Sequence, residues 1–204
     1  MEIYLLLGGN IGPVRENLQR AQTLIGERVG QVTRVSRIYR SPAWGFESPD
    51  PFYNVALAVE TALQPEETMR TLLQIEYELG RRRGAACGQA AADAAIAGSG
   101  AGADALAVDA GDGAAIADGA AAGHAAPSEK TYVSRPIDID ILFFGPLERH
   151  TPLLTVPHPR LPQRRFALTP LCDIAPDWVH PVLHETVASL LALCPDSSPV
   201  EPVA

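Results

Sequence analysis

Residues 137–144 read Ile-Asp-Ile-Asp-Ile-Leu-Phe-Phe, an apolar run interrupted only by two aspartates. β-Branched and aromatic residues favour strands, and Gly145-Pro146 follows directly, so we predict a strand that ends there. Side chains alternate along a strand. Asp138 and Asp140 are therefore expected on one face of the strand, with the three isoleucines on the other.

Further strands and helices are predicted outward from this run. Residues 3–7, 33–39 and 52–61 are rich in β-branched and aromatic residues, which predicts three strands, while residues 13–25 and 66–79 carry apolar residues at helical spacing. The order β-α-β-β-α-β predicts an α+β fold, namely a ferredoxin-like antiparallel sheet with both helices on one face. The opposite face is then expected to be free for loops and ligands.

A C-terminal extension of helices and loops is predicted after this core. Short helices are expected at residues 166–172 and 186–194, and the Pro- and Ser-rich residues after Cys194 are expected to fray. The length of 204 residues suits one domain spanning residues 1–204.

The composition changes abruptly at residues 84–129, which are mostly Ala and Gly. Such a segment offers little apolar surface for a core, and its glycines oppose helix formation. We expect a mobile low-complexity insert within the domain.

The bulk composition limits the possible classes of function. The net charge is -8 and the sequence pI is about 5.1, which argues against a protein that binds duplex DNA. Three widely spaced cysteines without a C-x-x-C pair favour neither a disulfide framework nor a zinc site. No run is long enough to span a bilayer and no secretory leader is recognisable, so a cytoplasmic location is expected.

The aspartate pair is the strongest chemical signal. Two neighbouring carboxylates repel unless a cation lies between them, and Mg²⁺ prefers oxygen ligands shared with phosphates. Arg81-Arg82-Arg83 and Arg135 could clamp phosphate groups. Alternatively, the two aspartates are simply solvated on an exposed face, and the run Arg81-Arg82-Arg83 only provides favourable charge at a helix C-terminus. We interpret the combination as an enzyme that moves a phosphate-containing group from Mg-ATP.

Other polar and aromatic residues leave two readings open. His158, between two prolines, could bond a phosphate or stabilise a turn, and Asn54 and Glu76 could be ordinary surface residues. Trp44 and Phe166 could pack in a core or stack on a flat heterocycle.

Several motifs together resemble the 6-hydroxymethyl-7,8-dihydropterin pyrophosphokinase family of folate biosynthesis. The matching runs are Tyr4-Leu5-Leu6-Leu7-Gly8-Gly9-Asn10, Ser36-Arg37-Ile38-Tyr39-Arg40-Ser41-Pro42, Phe52-Tyr53-Asn54-Val55-Ala56, Ile75-Glu76 with Gly80-Arg81, Arg135-Pro136-Ile137-Asp138-Ile139-Asp140 and Val156-Pro157-His158-Pro159-Arg160. The resemblance covers nearly everything except the Ala- and Gly-rich insert and the extreme C-terminus.

The resemblance implies transfer of pyrophosphate from ATP to the hydroxymethyl group of the pterin, with release of AMP. It implies two Mg²⁺ ions on Asp138 and Asp140, and catalytic contacts from Arg81 and Arg135 to the phosphates. The implied ATP-binding residues are Glu76, Arg83, Ile141, Thr155, His158 and Arg164. The implied pterin-binding residues are Ser41, Pro42, Ala43, Trp44, Phe52, Asn54, Tyr132 and Phe166. Both substrates are small molecules, so we expect neither a nucleic-acid nor a membrane partner, and a monomer.

Several features depart from the family pattern, including Trp44 in place of a smaller apolar residue and Thr131 in place of an arginine. The usual Trp-Gly-Pro-Arg before the metal strand is replaced by Tyr132-Val133-Ser134-Arg135, and the insert enters the loop that the family closes over its substrates. Two rival hypotheses remain: a nucleotidyl transferase, which releases pyrophosphate instead of AMP, and a binding module that has kept the fold without catalysis.

Overall fold

The computed structural model describes residues 1–82 and 134–203. The predicted insert at residues 84–129, together with Arg83 and Tyr132, lies outside the described residues. The strands are β1 (Glu2–Gly9), β2 (Gly30–Val35), β3 (Tyr39–Ser41), β4 (Phe52–Thr61), β5 (Asp138–Phe144), β6 (Arg149–His150), β7 (Thr155–Val156) and β8 (Glu201–Pro202). The helices are α1 (Val14–Arg28), α2 (Pro65–Glu78), α3 (Arg165–Ile174) and α4 (Val187–Leu193), with a short 3₁₀ turn at Leu161–Gln163.

The main sheet is antiparallel, as predicted. Its strands lie in the order β5-β1-β4-β3-β8, and β2 also pairs with β4. The central strand β1 aligns Leu7 with Val55 of β4 and with Ile139 of β5. The protein is therefore a mixed α/β fold, and β5, which carries the aspartate pair, forms one edge of the sheet.

Helices α1 and α2 cover one face of the sheet. Leu18 and Ile25 of α1 and Leu72 and Ile75 of α2 pack in one buried cluster with alternate strand residues such as Leu57. This arrangement agrees with the prediction that both helices lie on one face. The apolar stripes on α1 and α2 therefore face the sheet, as amphipathic helices require.

The opposite face is not free, contrary to the prediction. Helices α3 and α4 pack there against Leu6 and Ala58 through residues such as Leu168, Leu171 and Leu190. Helix α3 carries an apolar surface that can be buried only against another element, and the sheet supplies it. Near the start of β5, Asp138 and Asp140 keep side-chain exposures of 18% and 33% on this face.

Two further predictions were wrong in detail. The strand predicted at residues 33–39 is divided into β2 and β3, and Ser36 lies at the break, where its Oγ accepts a hydrogen bond of 2.9 Å from the Ala56 N–H. The segment predicted to fray instead forms β8, which pairs with β3 at Tyr39 and Arg40. Main-chain pairing with a sheet edge anchors this segment although its side chains are polar.

His180 should make the stability of the fold depend on pH. It is 5% exposed, packs edge-on against Phe143 and accepts hydrogen bonds at Nδ1 from the N–H groups of Val182 and Leu183, each 3.2 Å long. Burial lowers the pKa of His180 below its ordinary value of 6.5. The unfolded chain therefore binds this proton more readily, and stability should fall as pH drops below about 6.5.

Replacing His180 with Asn tests this expectation, because Asn Oδ1 can accept the same N–H groups but does not titrate. We expect H180N to lower the Tm at pH 7.5 and to reduce the loss of Tm between pH 7.5 and pH 5.5. Both proteins keep His158, so the difference between their thermal unfolding curves isolates His180. Equal pH slopes in the two proteins would contradict the assignment.

Candidate active site

The strand register aligns two polar residues across a glycine, so that three strands contribute to one row across the sheet. Asp138 of β5 is aligned with Gly8 of β1, and Gly8 is aligned with Asn54 of β4. Partners in an antiparallel ladder project to the same face. Asp140 lies two pairs further along, opposite Leu6, so both aspartates share the face on which Asn54 lies.

Arginine side chains surround the aspartate pair. Arg81, just after α2, contacts Asp138, and Arg135 Nη1 lies 2.9 Å from Asp138 Oδ2. Arg164 Nη1 lies 3.3 Å from Asp140 Oδ2. Guanidinium groups thus lie against both carboxylates, and three arginines converge on one site.

Glu76 is a buried carboxylate behind this cluster. It is 1% exposed, contacts Arg81, and accepts a 2.7 Å hydrogen bond at Oε1 from the Ile139 N–H, between the two aspartates. This contact satisfies an N–H on an edge strand, which would otherwise be unpaired. Burial lowers the pKa of Arg81, but Asp138 and Glu76 more than offset it, so the pKa is raised and the guanidinium stays charged.

Asn10 fixes the main chain of Arg135. The Asn10 N–H donates to the Arg135 carbonyl at 3.0 Å, and Asn10 Oδ1 accepts from the Arg135 N–H at 2.8 Å. The Asn10 amide also donates to Ser134 Oγ at 2.9 Å and to Ser48 Oγ at 3.2 Å. Asn10 thereby joins the end of β1 to the residues that precede β5, and it sets where Arg135 enters the site.

An arginine and two aromatic rings form the wall nearest Asp140. The Arg164 guanidinium lies 5.1 Å from the ring centre of Trp44 and 5.6 Å from that of Phe166, within cation–π range. His158 Nε2 lies 3.4 Å from Arg164 Nη1. Burial, chiefly, lowers the pKa of His158, which Asp140 partly offsets, so the imidazole is neutral near pH 7 and can accept a hydrogen bond.

Asp138 and Asn54 flank Gly8 across the sheet, and we call the place between these two side chains the slot. A Cβ on Gly8 would lie 2.6 Å from Asn54 Oδ1, so only glycine leaves the amide in place. Asn54 is 2% exposed and its Nδ2 donates to Ser41 Oγ at 3.3 Å. Phe52 lies beside the slot, with the Arg135 guanidinium 5.9 Å from its ring centre.

The structure thus brings together most of the predicted site residues. The connected set contains Asp138, Asp140, Arg81, Arg135, Glu76, Arg164, His158, Trp44 and Phe166, with Phe52 beside Arg135 and with Asn54 and Ser41 across Gly8. The alternative that Asn54 and Glu76 are surface residues is excluded by their burial. Pro42 is exposed and Ala43 half-buried in the loop after β3.

Four predicted residues are not placed among these contacts. Ile141 is 3% exposed and packs in the core beneath α1 and α2, on the face opposite the aspartates, so only its main chain could meet a ligand. Thr155 is half-buried on β7, paired with His150. Arg83 and Tyr132 fall outside the described residues.

Gly8 and Asn10 were not predicted as site residues. The Gly8-Gly9-Asn10 run at the end of β1 was the only signal for them in the sequence.

The donor set fits magnesium. Asp138 and Asp140 offer half-buried carboxylate oxygens on one face, and Mg²⁺ is commonly held by one or two carboxylates together with substrate phosphates. Within residues 1–82 and 134–203 no group of three or more His, Cys, Asp or Glu side chains forms a cage that could hold a metal by itself.

In the same part of the chain, no helix has the length and apolar character to cross a membrane.

Comparison with known families gives a match over most of the chain. The model of the family described as 7,8-dihydro-6-hydroxymethylpterin-pyrophosphokinase (HPPK) matches residues 4–97 and 119–176. The chain is 32% identical over 180 residues to the 2-amino-4-hydroxy-6-hydroxymethyldihydropteridine pyrophosphokinase of Porphyromonas gingivalis, which covers 88% of this chain and 93% of that protein. It is 33% identical over 199 residues to the protein of the same name from Synechocystis sp., covering 97% of this chain and 78% of that one.

Solved structures share the fold at lower identity. A structure of HPPK-DHPS in complex with substrates superposes with a TM-score of 0.58 at 13% identity, over 94% of this chain. Plasmodium falciparum HPPK-DHPS with pteroate gives a TM-score of 0.59 at 13% identity, again over 94% of this chain. The chain spans 42% and 44% of those two longer chains, respectively, and the likeness to them concerns the fold.

Proposed function

The chain belongs to the 7,8-dihydro-6-hydroxymethylpterin-pyrophosphokinase family, and from that premise we propose that its site transfers pyrophosphate from ATP to the hydroxymethyl group of 6-hydroxymethyl-7,8-dihydropterin. Family membership makes it an ATP-dependent pyrophosphokinase of folate biosynthesis. The observation that carries the residue-level proposal is the Asp138–Asp140 pair. Three arginines surround it, and Asp138 lies directly opposite Gly8, which is itself opposite Asn54.

The reaction sets the requirements for the site. The hydroxymethyl oxygen bonds to the β-phosphorus of ATP, the bond from that phosphorus to the α–β bridging oxygen breaks, AMP leaves and the hydroxyl proton is released. Charge spreads over the phosphoryl oxygens as this happens, so catalysis depends on positioning and electrostatic stabilisation. Asp138 and Asp140 would hold two Mg²⁺ ions. When bound, these ions would neutralise charge on the phosphates and polarise the pterin hydroxyl.

Arg81 and Arg135 are proposed to stabilise the transferring group. Both guanidinium groups contact Asp138, so they lie beside the carboxylate that would hold magnesium and close to where its phosphate ligands would bind. The Nε–H of Arg135 is buried and has no hydrogen-bond partner within the described part of the chain, which leaves a donor for an incoming oxygen. We infer that these arginines exchange the carboxylate for phosphate oxygens when ATP binds, with Glu76 keeping Arg81 in place.

The slot beside Asp138 is the proposed position of the pterin. A pterin is a flat ring with amide-like edges, and Asn54 offers both a donor and an acceptor to such an edge. Phe52, Trp44 and Phe166 supply aromatic surface nearby, and the missing side chain at Gly8 leaves room for the Asn54 amide. This arrangement would place the hydroxymethyl group towards Asp138. Arg164 and His158, beyond Asp140, are proposed to meet the nucleotide.

We also propose a finer description of the fold. Taken without β3 and β8, the strands β1, β2, β4 and β5 follow the ferredoxin-like chain order, and their order in the sheet is β5-β1-β4-β2. The family match continues on both sides of residues 98–118, which supports one domain carrying an insert.

The test is to identify the nucleotide product. Purified protein with ATP, Mg²⁺ and 6-hydroxymethyl-7,8-dihydropterin should form AMP only when the pterin is present, as followed by chromatography. Release of pyrophosphate instead of AMP would support a nucleotidyl transferase. Binding of both substrates without any product would support a module that has lost catalysis.

A further inference from the structure

Residues 195–203, which we call the C-terminal segment, reach one side of the proposed substrate site at the start of α3. Asp196 Oδ2 accepts a hydrogen bond of 3.2 Å from the Arg165 N–H, the first N–H of that helix. Asp196 Oδ1 accepts from the Ser198 N–H at 2.9 Å. The N-cap residue of α3, Arg164, makes no side-chain cap of its own. Asp196 therefore provides the cap from 31 residues further along the chain.

The same segment reaches the other side of the site through the sheet. Glu201 and Pro202 form β8 on the free edge of β3, and the Val203 N–H donates to the Ile38 carbonyl at 2.8 Å. Strand β3 ends at Ser41 and leads directly into the loop that carries Trp44. Pairing with β8 limits the motion of an otherwise exposed three-residue strand.

These two anchors hold the two halves of one cluster. Arg164 and Phe166 stand at the start of α3, and Trp44 stands on the loop after β3. The rings of Trp44 and Phe166 lie 6.3 Å apart, with the Arg164 guanidinium close to both. The relative position of α3 and β3 therefore sets the width of this wall of the site.

We propose that the C-terminal segment is a positioning element of the active site, and that Asp196 is its main positioning residue. It acts through Arg164, Phe166 and Trp44 and touches neither substrate. The family match ends at residue 176, so this contribution belongs to a part of the chain that the match does not cover. The inference rests on the proposed function only where it concerns substrate affinity.

The test compares three single variants and one truncation. D196A removes the cap, D196N keeps an oxygen that can accept the same N–H, and S197A changes an exposed neighbour as the matched control. We expect the KM for ATP or pterin to rise roughly fivefold in D196A, with kcat and the Mg²⁺ dependence nearly unchanged. Ending the chain after Cys194 should give a larger rise, whereas D196N and S197A should behave like wild type.

A second readout needs no substrate. In a Trp178→Phe background, Trp44 is the only tryptophan, and acrylamide should quench its fluorescence more strongly when D196A loosens the cluster. If D196A lowers only the Tm, leaving KM and quenching unchanged, the proposal is overturned. If wild type forms no AMP but D196A still increases quenching, the positioning role stands and the proposed function fails.

Discussion

Replacing Asp138 with Asn is expected to lower kcat/KM for AMP formation by about a thousandfold, because an amide is a poor magnesium ligand and metal clamps contribute several kcal/mol to such reactions. Asp138 is also the shared partner of Arg81 and Arg135. Its replacement removes an anion that both guanidinium groups contact, although Glu76 still contacts Arg81. The loss should appear mainly in kcat, since the residues proposed to bind the pterin and the nucleotide base are unchanged.

The matched control for this substitution is D177N, which makes the same chemical change at an exposed aspartate between α3 and α4. Its activity should equal that of wild type. Circular dichroism of both variants must show an intact fold, and Mn²⁺ binding in the presence of ATP should weaken in D138N alone. Activity of D138N within threefold of wild type would rule out Asp138 as a metal ligand.

Features encoded by local periodicity were predictable from the sequence. The strand at residues 52–61 agrees with the bounds of β4, and the apolar residues of α1 and α2 at helical spacing are the ones buried. Alternation along β5 placed both aspartates on one face, and the register confirms it. Each of these inferences needs only the geometry of one element, which its own residues determine.

The supporting parts of the site depend on contacts between distant segments. Nothing within α2 distinguishes Glu76 from an exposed helical glutamate; its burial follows from the way α2 packs beside β5. Asn54 becomes a site residue only because β4 is aligned with Gly8 of β1. Strand register and helix packing are properties of the whole fold, so a pattern within one segment cannot reveal them.

Composition was misleading for the C-terminal segment. Its prolines and serines suggested a frayed end, yet Asp196 caps α3 and β8 extends the sheet. A short polar segment can be anchored by main-chain hydrogen bonds, which side-chain hydrophobicity does not report. The prediction of a free sheet face was wrong for a related reason. The apolar surface of α3 has to be buried against another element, and it packs on that face of the sheet.

Gly8→Ala should reduce pterin-dependent turnover by roughly ten- to a hundredfold and destabilise the protein, because overpacking a tight site typically costs about 1–3 kcal/mol. The added Cβ would lie 2.6 Å from Asn54 Oδ1 in a buried slot. Asn54 would have to leave its hydrogen bond with Ser41, so the amide edge that it offers to the pterin would be lost. The KM for pterin should rise more than the KM for ATP.

Two comparisons separate this steric effect from a general cost of replacing glycine. G26A makes the same change within α1, where a Cβ would meet nothing within 4 Å, so it should raise the Tm, since Ala favours helix over Gly. The double variant Gly8→Ala with Asn54→Ala removes the clashing amide, and it should recover stability without recovering pterin affinity. Recovery of neither property would show that Gly8 is needed for another reason, such as the close pairing of β1 with its neighbours. Recovery of stability alone would identify the Gly8–Asn54 contact as the feature that joins the packing of the sheet to recognition of the pterin.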